Sequence, residues 1–210
     1  MYSIAICTEL ARGEIRLKKI GAGMNVIATD IEGVLIIEPQ VFQDHRGCFL
    51  ETYHDNRFKA AGLSMAFVQD NLSFSVKGTL RGMHFQVNHP QAKLVQAITG
   101  EIFDVAVDIR FGSSTFGRWV GVHLSEQNRR QVLLTPGFAH GFCVLSETAY
   151  IAYKCSEYYM PDDESGILWS DPSMGIDWPV KDPIISDKDS RLPCLSELPP
   201  EKLYHPEKAP

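Results

Sequence analysis

No stretch of this 210-residue sequence stays apolar for the length of a membrane span, which needs about 20 residues, so no membrane partner is expected. Excess basic charge is missing as well: 20 Lys and Arg stand against 26 Asp and Glu, for a formal net charge of -6. That balance argues against a broad nucleic-acid footprint. An anionic ligand must then be gripped by a few placed arginines and lysines, and the expected partner is small. The five cysteines, Cys7, Cys48, Cys143, Cys155 and Cys194, contain no C-x-x-C pair. Their odd number and wide spacing argue against a disulfide framework or zinc ribbon and point to a reducing, cytoplasmic setting. Helical periodicity is scarce, and there is no internal repeat. Also lacking is a metal-ligand set. A catalytic metal takes about three converging protein ligands, usually histidines and a carboxylate. Here Gln86 stands two positions after His84, and no Glu follows within the next several residues.

What is present is β structure. The length suits one well-buried domain, and from residue 33 short β-rich runs alternate with Gly, Asn, Asp and Pro, the spacing of an all-β sandwich or barrel. The runs predict strands over 34–38, 48–53, 67–74, 79–86, 94–99, 101–109, 118–124, 131–134, 141–145 and 148–155, with a helical turn or two at 55–61. Residues 101–110 show the period of two most clearly. Phe103, Val105, Val107 and Ile109 point one way, and Asp104, Ala106, Asp108 and Arg110 the other, which predicts one packed and one polar face. After about residue 170 the chain turns Pro- and Asp-rich, predicting irregular covering structure. The expected organisation is an N-terminal extension of uncertain role over 1–23, with Met24 as an alternative start, one domain over 24–195, and a loose tail over 196–210.

Two motifs, Gly78 to Gln86 and Pro136 to Phe142, outline a barrel pocket with two histidines and no metal set, which points to proton transfer on a bound small molecule. The first resembles the opening of one cupin motif, and Pro136-Gly137-Phe138-Ala139-His140 resembles the other. More specifically, the chain resembles the dTDP-4-dehydrorhamnose 3,5-epimerase family. The likeness is carried in order by Asp44 to Glu51, Phe67 to Ser73, Leu80 to Gln86, Lys93 to Val95, Phe103 to Arg110 and Tyr153-Lys154, and spans roughly residues 33 to 190. It implies an all-β, cupin-like jelly roll (a double-stranded β-helix) with short peripheral helices. It also implies a homodimer and inversion of C3 and C5 of a dTDP-4-keto-6-deoxyhexose, with no metal or nucleotide cofactor.

The hydrogens at C3 and C5 are acidic because each carbon neighbours the C4 ketone, so such an enzyme must remove a carbon-bound proton and stabilise an enolate. A histidine, with an unperturbed pKa of about 6.5, suits the base, and the resemblance assigns His84; the plain alternative is a histidine bonded inside a barrel. A carboxylate would fix its tautomer. The matching position is Asp189, which bare would read as a solvated Asp, and Asp104 is the rival. Lys93 matches the partner of the enolate oxygen, against the bland reading of a strand-edge lysine. Tyr153 matches the acid on the opposite ring face, against a core or interface tyrosine. His140 is a candidate to hydrogen-bond substrate rather than to titrate, against the plain reading of a buried structural histidine.

For binding, Arg46 and Arg81 match the positions that fork onto pyrophosphate oxygens. Glu51, Gln69 and Asn71 are candidate hydrogen-bonders to base and phosphates, and Phe49 a candidate apolar surface; each is otherwise an outward strand residue. Strict alternation puts Arg81 and His84 on opposite faces, so a bulge or twist at Gly82 is required for both to reach one cavity. The competing functions are a single-centre epimerase or isomerase of a related nucleotide-linked keto sugar, a metal-dependent cupin oxygenase, and a non-catalytic sugar-binding module.

Overall fold

A computed structural model describes residues 17–20 and 23–206. The strands are β1 (Leu17–Ile20), β2 (Met24–Ala28), β3 (Val34–Pro39), β4 (Val41–Asp44), β5 (Gly47–Leu50), β6 (Gln69–Val76), β7 (Leu80–Gln86), β8 (Lys93–Thr99), β9 (Glu101–Asp108), β10 (Trp119–Ser125), β11 (Gln131–Leu134), β12 (Phe138–Val144), β13 (Thr148–Cys155) and β14 (Glu164–Gly166). One short helix, α1 (Asp55–Ala60), lies between β5 and β6. The strands form a seven-stranded sheet, in the order β1-β2-β3-β11-β8-β13-β6, and a five-stranded sheet, β10-β9-β12-β7-β14. β4 and β5 make a separate hairpin. Pairing within the sheets is antiparallel, and the fold is an all-β jelly roll.

Alternation along the strands builds three apolar layers. In the large sheet Val34, Ile36, Val95, Val132 and Leu134 face inward, where they meet Ile102, Ala106 and Phe142 of the small sheet. Their neighbours Ile37, Leu94 and Leu133 face outward and are covered by Phe58 of α1 with Ala61 and Leu63. Burial of each large aliphatic or aromatic side chain contributes about 1.5–3 kcal/mol, so the outer layer is what fastens the helix to the sheet.

The third layer corrects the reading of 101–110. The set Val105, Val107 and Ile109 packs under Ile167, Met174, Leu195 and Leu198 from the irregular C-terminal region. The opposite set is not solvated: Asp104 and Asp108 are 1 % and 0 % exposed. Both faces of β9 are buried along most of its length, and Asp104 and Asp108 point into polar pockets inside the protein. Asp108 accepts hydrogen bonds from Arg110, Ser113 and Thr115.

The termini differ from expectation too. Residues 1–16 and 21–22 of the predicted extension lie outside the described residues, but Leu17–Ile20 forms an edge strand on β2. Beyond Leu195 the chain is docked rather than loose. Leu198 is buried, Leu203 and Tyr204 pack on the same cluster, and the Tyr204 N–H donates to the Ile109 carbonyl at 3.2 Å. Apolar residues spaced by prolines hold this segment down, a pattern without strand or helix period. Residues 207–210 lie outside the described part. No helix among the described residues is long and apolar enough to cross a membrane.

At Gly82 the required irregularity is present. His140 pairs with His84 and Phe142 with Arg81, so three steps along β7 match two along β12. The extra residue turns Arg81 and His84 toward the same space. Gly82 has φ +121°, and a Cβ there would sit 2.6 Å from the Gly141 Cα, so only glycine fits the bulge without moving β12.

Candidate active site

A cavity of about 690 Å³ opens between the two sheets, within the range usual for small-molecule sites. His84 enters it from the small sheet and Tyr153 and Lys93 from the large one, so imidazole and phenol come from facing walls of one compartment. The His84 Nε2 lies 2.8 Å from an oxygen of Asp189. Asp189 is 4 % exposed and begins a short 3₁₀ turn, Asp189–Arg191. Its second oxygen accepts the Gly82 N–H at 3.1 Å, so the bulge that orients His84 also holds its carboxylate. Burial opposes the charge on Asp189. The hydrogen bond and charge of His84, with further bonds from Gly82 and Ser186, outweigh it and hold the carboxyl below the ordinary aspartate range.

With the Nε2 proton directed at Asp189, Nδ1 is left with its lone pair. Glu164 Oε1 stands 3.8 Å from Nδ1, and the Glu164 carboxylate also accepts from the Tyr159 hydroxyl at 2.9 Å and from Lys188. A second pair lies deeper. His140 Nε2 is 2.8 Å from Asp104 Oδ2, and both residues are buried. Asp104 therefore serves His140, and Asp189 is the residue that orients His84. Among the described residues Asp104 Oδ1 has no hydrogen-bond partner.

Burial pulls the Lys93 ammonium below the ordinary lysine range, against the opposing influence of Cys155, Asp104 and Glu164. Burial likewise pushes the Tyr153 phenol up, aided by Cys155, so it stays protonated at neutral pH. Gln69, Asn71 and Arg81 line the mouth. Gln69 donates to Asn71 at 3.0 Å and accepts the Tyr159 N–H at 2.9 Å, while Arg81 Nε donates to Ser75 at 3.1 Å. Gln86, where a metal ligand would be sought, instead ties down the loop over 158–160, donating to the Tyr158 carbonyl and accepting the Met160 N–H.

Arg46, Phe49 and Glu51 are not brought to this cavity. Arg46 forks onto Asp44 at 2.6 Å at the exposed hairpin turn, Phe49 is 69 % exposed, and Glu51 accepts from Arg57 at 2.9 Å. Conversely, Glu164, Lys188 and Tyr159 line the cavity without having been singled out in the sequence. Lys188 adjoins Asp189 and was within reach of that argument. Glu164 belongs to a three-residue strand that leaves no periodic signal.

A jelly roll holding a histidine–carboxylate pair opposite a half-buried phenol, with a lysine beside them, defines an acid–base isomerase of small molecules. Residues 28–197 match the family model described as dTDP-4-dehydrorhamnose 3,5-epimerase. The chain is 52% identical over 181 residues to the enzyme of that name from Methanothermobacter thermautotrophicus, covering 85% of this chain and 98% of the relative. It is 44% identical over 169 residues to a dTDP-4-dehydrorhamnose 3-epimerase from Streptomyces niveus, covering 80% and 82%. Among solved structures, the Legionella pneumophila 3,5-epimerase in complex with dTDP-4-keto-L-rhamnose superposes with a TM-score of 0.85 at 48% identity, covering 87% of this chain and 98% of that one. The chain belongs to the dTDP-4-dehydrorhamnose 3,5-epimerase family, whose members are isomerases.

Proposed function

We propose that the protein inverts C3 and C5 of dTDP-4-dehydro-6-deoxy-D-glucose to give dTDP-4-dehydro-L-rhamnose, with His84 as base and Tyr153 as acid. The observation that carries this reading is the entry of these two side chains into one cavity from opposite sheets. In a glucose-configured ring the axial hydrogens at C3 and C5 share a face, so a single base serves both carbons. His84 Nδ1 takes the proton while Nε2–H stays on Asp189, and the imidazolium then lies between Asp189 and Glu164. Both steps place negative charge on the same C4 oxygen, so one ammonium, Lys93, stabilises both enolates. Tyr153 returns a proton from the other face, and its raised pKa suits an acid that must remain loaded until the enolate forms.

Binding follows the same geometry. Arg81 grips pyrophosphate, His140, with its Nε2 on Asp104, offers Nδ1 to a sugar hydroxyl, and Gln69 and Asn71 hydrogen-bond the nucleotide. Arg46, Phe49 and Glu51 act only if a second copy brings its hairpin to this cavity, which is the reason to place the protein as a homodimer. The outward residues Leu72, Phe74 and Val76 of edge strand β6, with Tyr150, are 43–65 % exposed and give a contiguous apolar face for that pairing. Light scattering is expected to return twice the chain mass, and a monomer at working concentration contradicts the assignment. The free thiols Cys48, Cys143, Cys155 and Cys194 fit a reducing cytoplasm.

Single-centre epimerisation is the second reading, favoured by the 44% identity to the Streptomyces niveus 3-epimerase. Turnover in deuterated water separates the two. Deuterium at both C3 and C5 of the product is expected; label at C3 alone makes the protein a single-centre enzyme, and no label leaves a binding module.

A further inference from the structure

Phe85, Gln86, Gln91 and Lys93 each line two spaces at once. In front of them is the substrate-sized cavity; behind them is a second space of about 10 Å³, room on the order of one water molecule. The far wall of that small space is Ile109, Gly137, Phe138 and Tyr204. Tyr204 belongs to the C-terminal segment and is fixed by backbone pairing. It bridges in parallel to Arg110, its N–H donates to Ile109, and its carbonyl accepts the Phe111 N–H at 2.8 Å. Its ring is seated closely, since a Cβ at Gly137 would lie 2.6 Å from the Tyr204 Cδ1. Glycine at 137, with φ +100°, leaves the space the ring occupies.

We propose that Tyr204 is a positioning residue whose ring seals the barrel floor behind Lys93 and closes the small space there to bulk water. The inference rests on the reading of Lys93 as the enolate partner. Coulomb attraction between an ammonium and a developing enolate weakens steeply as water enters and the local dielectric rises. On its front side Lys93 meets Cys155 of β13, Asp104 of β9 and Glu164 of β14, with His84, His140 and Tyr153 on the same cavity. Among the described residues, the titratable side chains lining the rear space are Lys93 and the Tyr204 phenol; the Arg110–Asp108 ion pair adjoins its Gly137 and Phe138 wall from outside. The floor therefore controls hydration of Lys93 without adding a counter-charge.

The test compares Tyr204→Ala and Tyr204→Phe in the full chain, with Lys93→Met as a separate arm, using dTDP-4-keto-6-deoxyglucose. Tyr204→Phe keeps the ring and is expected to match the parent protein. Tyr204→Ala is expected to lose about tenfold in kcat while KM changes by less than about twofold. Its alkaline limb should move to higher pH, because burial now lowers the Lys93 pKa and a hydrated ammonium keeps its proton longer. Repeating the comparison in a Tyr153→Phe background by proton exchange into recovered substrate assigns the limb to Lys93 rather than to the phenol, whose pKa burial raises. An unmoved alkaline limb in a folded Tyr204→Ala protein overturns the seal, whatever its rate. If that variant fails to fold by circular dichroism, Tyr204→Leu is read by the same criterion. Normal turnover by Lys93→Met removes the enolate reading itself; an inactive Lys93→Met beside a Tyr204→Ala protein with an unmoved limb removes only the seal.

Discussion

Replacing His84 by Ala is expected to lower kcat by about 10²–10⁴-fold, the usual contribution of a positioned general base, with little change in the binding of dTDP. Neither His140 nor Glu164, which also line the cavity, is placed to substitute. His140 has its Nε2 on Asp104 and sits deeper in the barrel, and Glu164 is held charged by Lys188 and Tyr159, which outweigh its burial and keep it below the ordinary glutamate range. A carboxylate of that basicity is a poor acceptor for a carbon-bound proton. The fold should survive the change. His84 is only half-buried, and Asp189 retains its bonds to Gly82 and Ser186, so the lost hydrogen bond to a charged acceptor costs about 1.5–3 kcal/mol. Steady-state kinetics together with urea melts separate the two effects. Turnover within about tenfold of the parent rate would remove His84 from its role.

Tyr153→Phe is expected to abolish inversion almost as completely, by about 10²–10³-fold, for a different reason. The phenylalanine ring preserves the packing of Tyr153 against the inter-sheet core and removes only the acid. Proton abstraction by His84 continues, and the enolate still forms beside Lys93. What is lost is delivery of a proton to the far face, so the enolate returns to starting material by taking the proton back from His84. The imidazolium exchanges with solvent through a cavity open to water, and the returned substrate should carry solvent hydrogen with its configuration unchanged. If Tyr153→Phe still epimerises at the parent rate, another donor serves that face.

The parts of this molecule that could be read from sequence are those in which chemistry and period agree. Residues 79–86, 94–99 and 148–155 read as strands because they are short β-rich runs set off by Gly, Asn, Asp and Pro. The bulge at Gly82 followed from the spacing of Arg81 and His84 once the resemblance gave both to one cavity, since no regular strand presents both to one side. Strand β9 was half legible. Its period of two was plain, but an Asp on a polar face looks the same whether it meets water or a buried histidine, and only the C-terminal cover decides between them. That cover was itself misjudged past Leu195, because Leu198, Leu203 and Tyr204 are held through irregular backbone pairing. Asp189 was legible only through resemblance, as a lone Asp in a polar segment carries no sign of the imidazole it meets from 105 residues away. Arg46, Phe49 and Glu51 were assigned to the site through resemblance, and within this chain they lie away from the cavity.

The most direct measurement of the central arrangement is deuterium content at C3 and C5 of substrate recovered from the His84→Ala and Tyr153→Phe proteins in deuterated water. If the imidazole removes protons from one ring face and the phenol supplies them to the other, Tyr153→Phe returns labelled substrate of unchanged configuration and His84→Ala returns it unlabelled. Labelled substrate from His84→Ala, with none from Tyr153→Phe, would contradict the assignment of base and acid to these two walls.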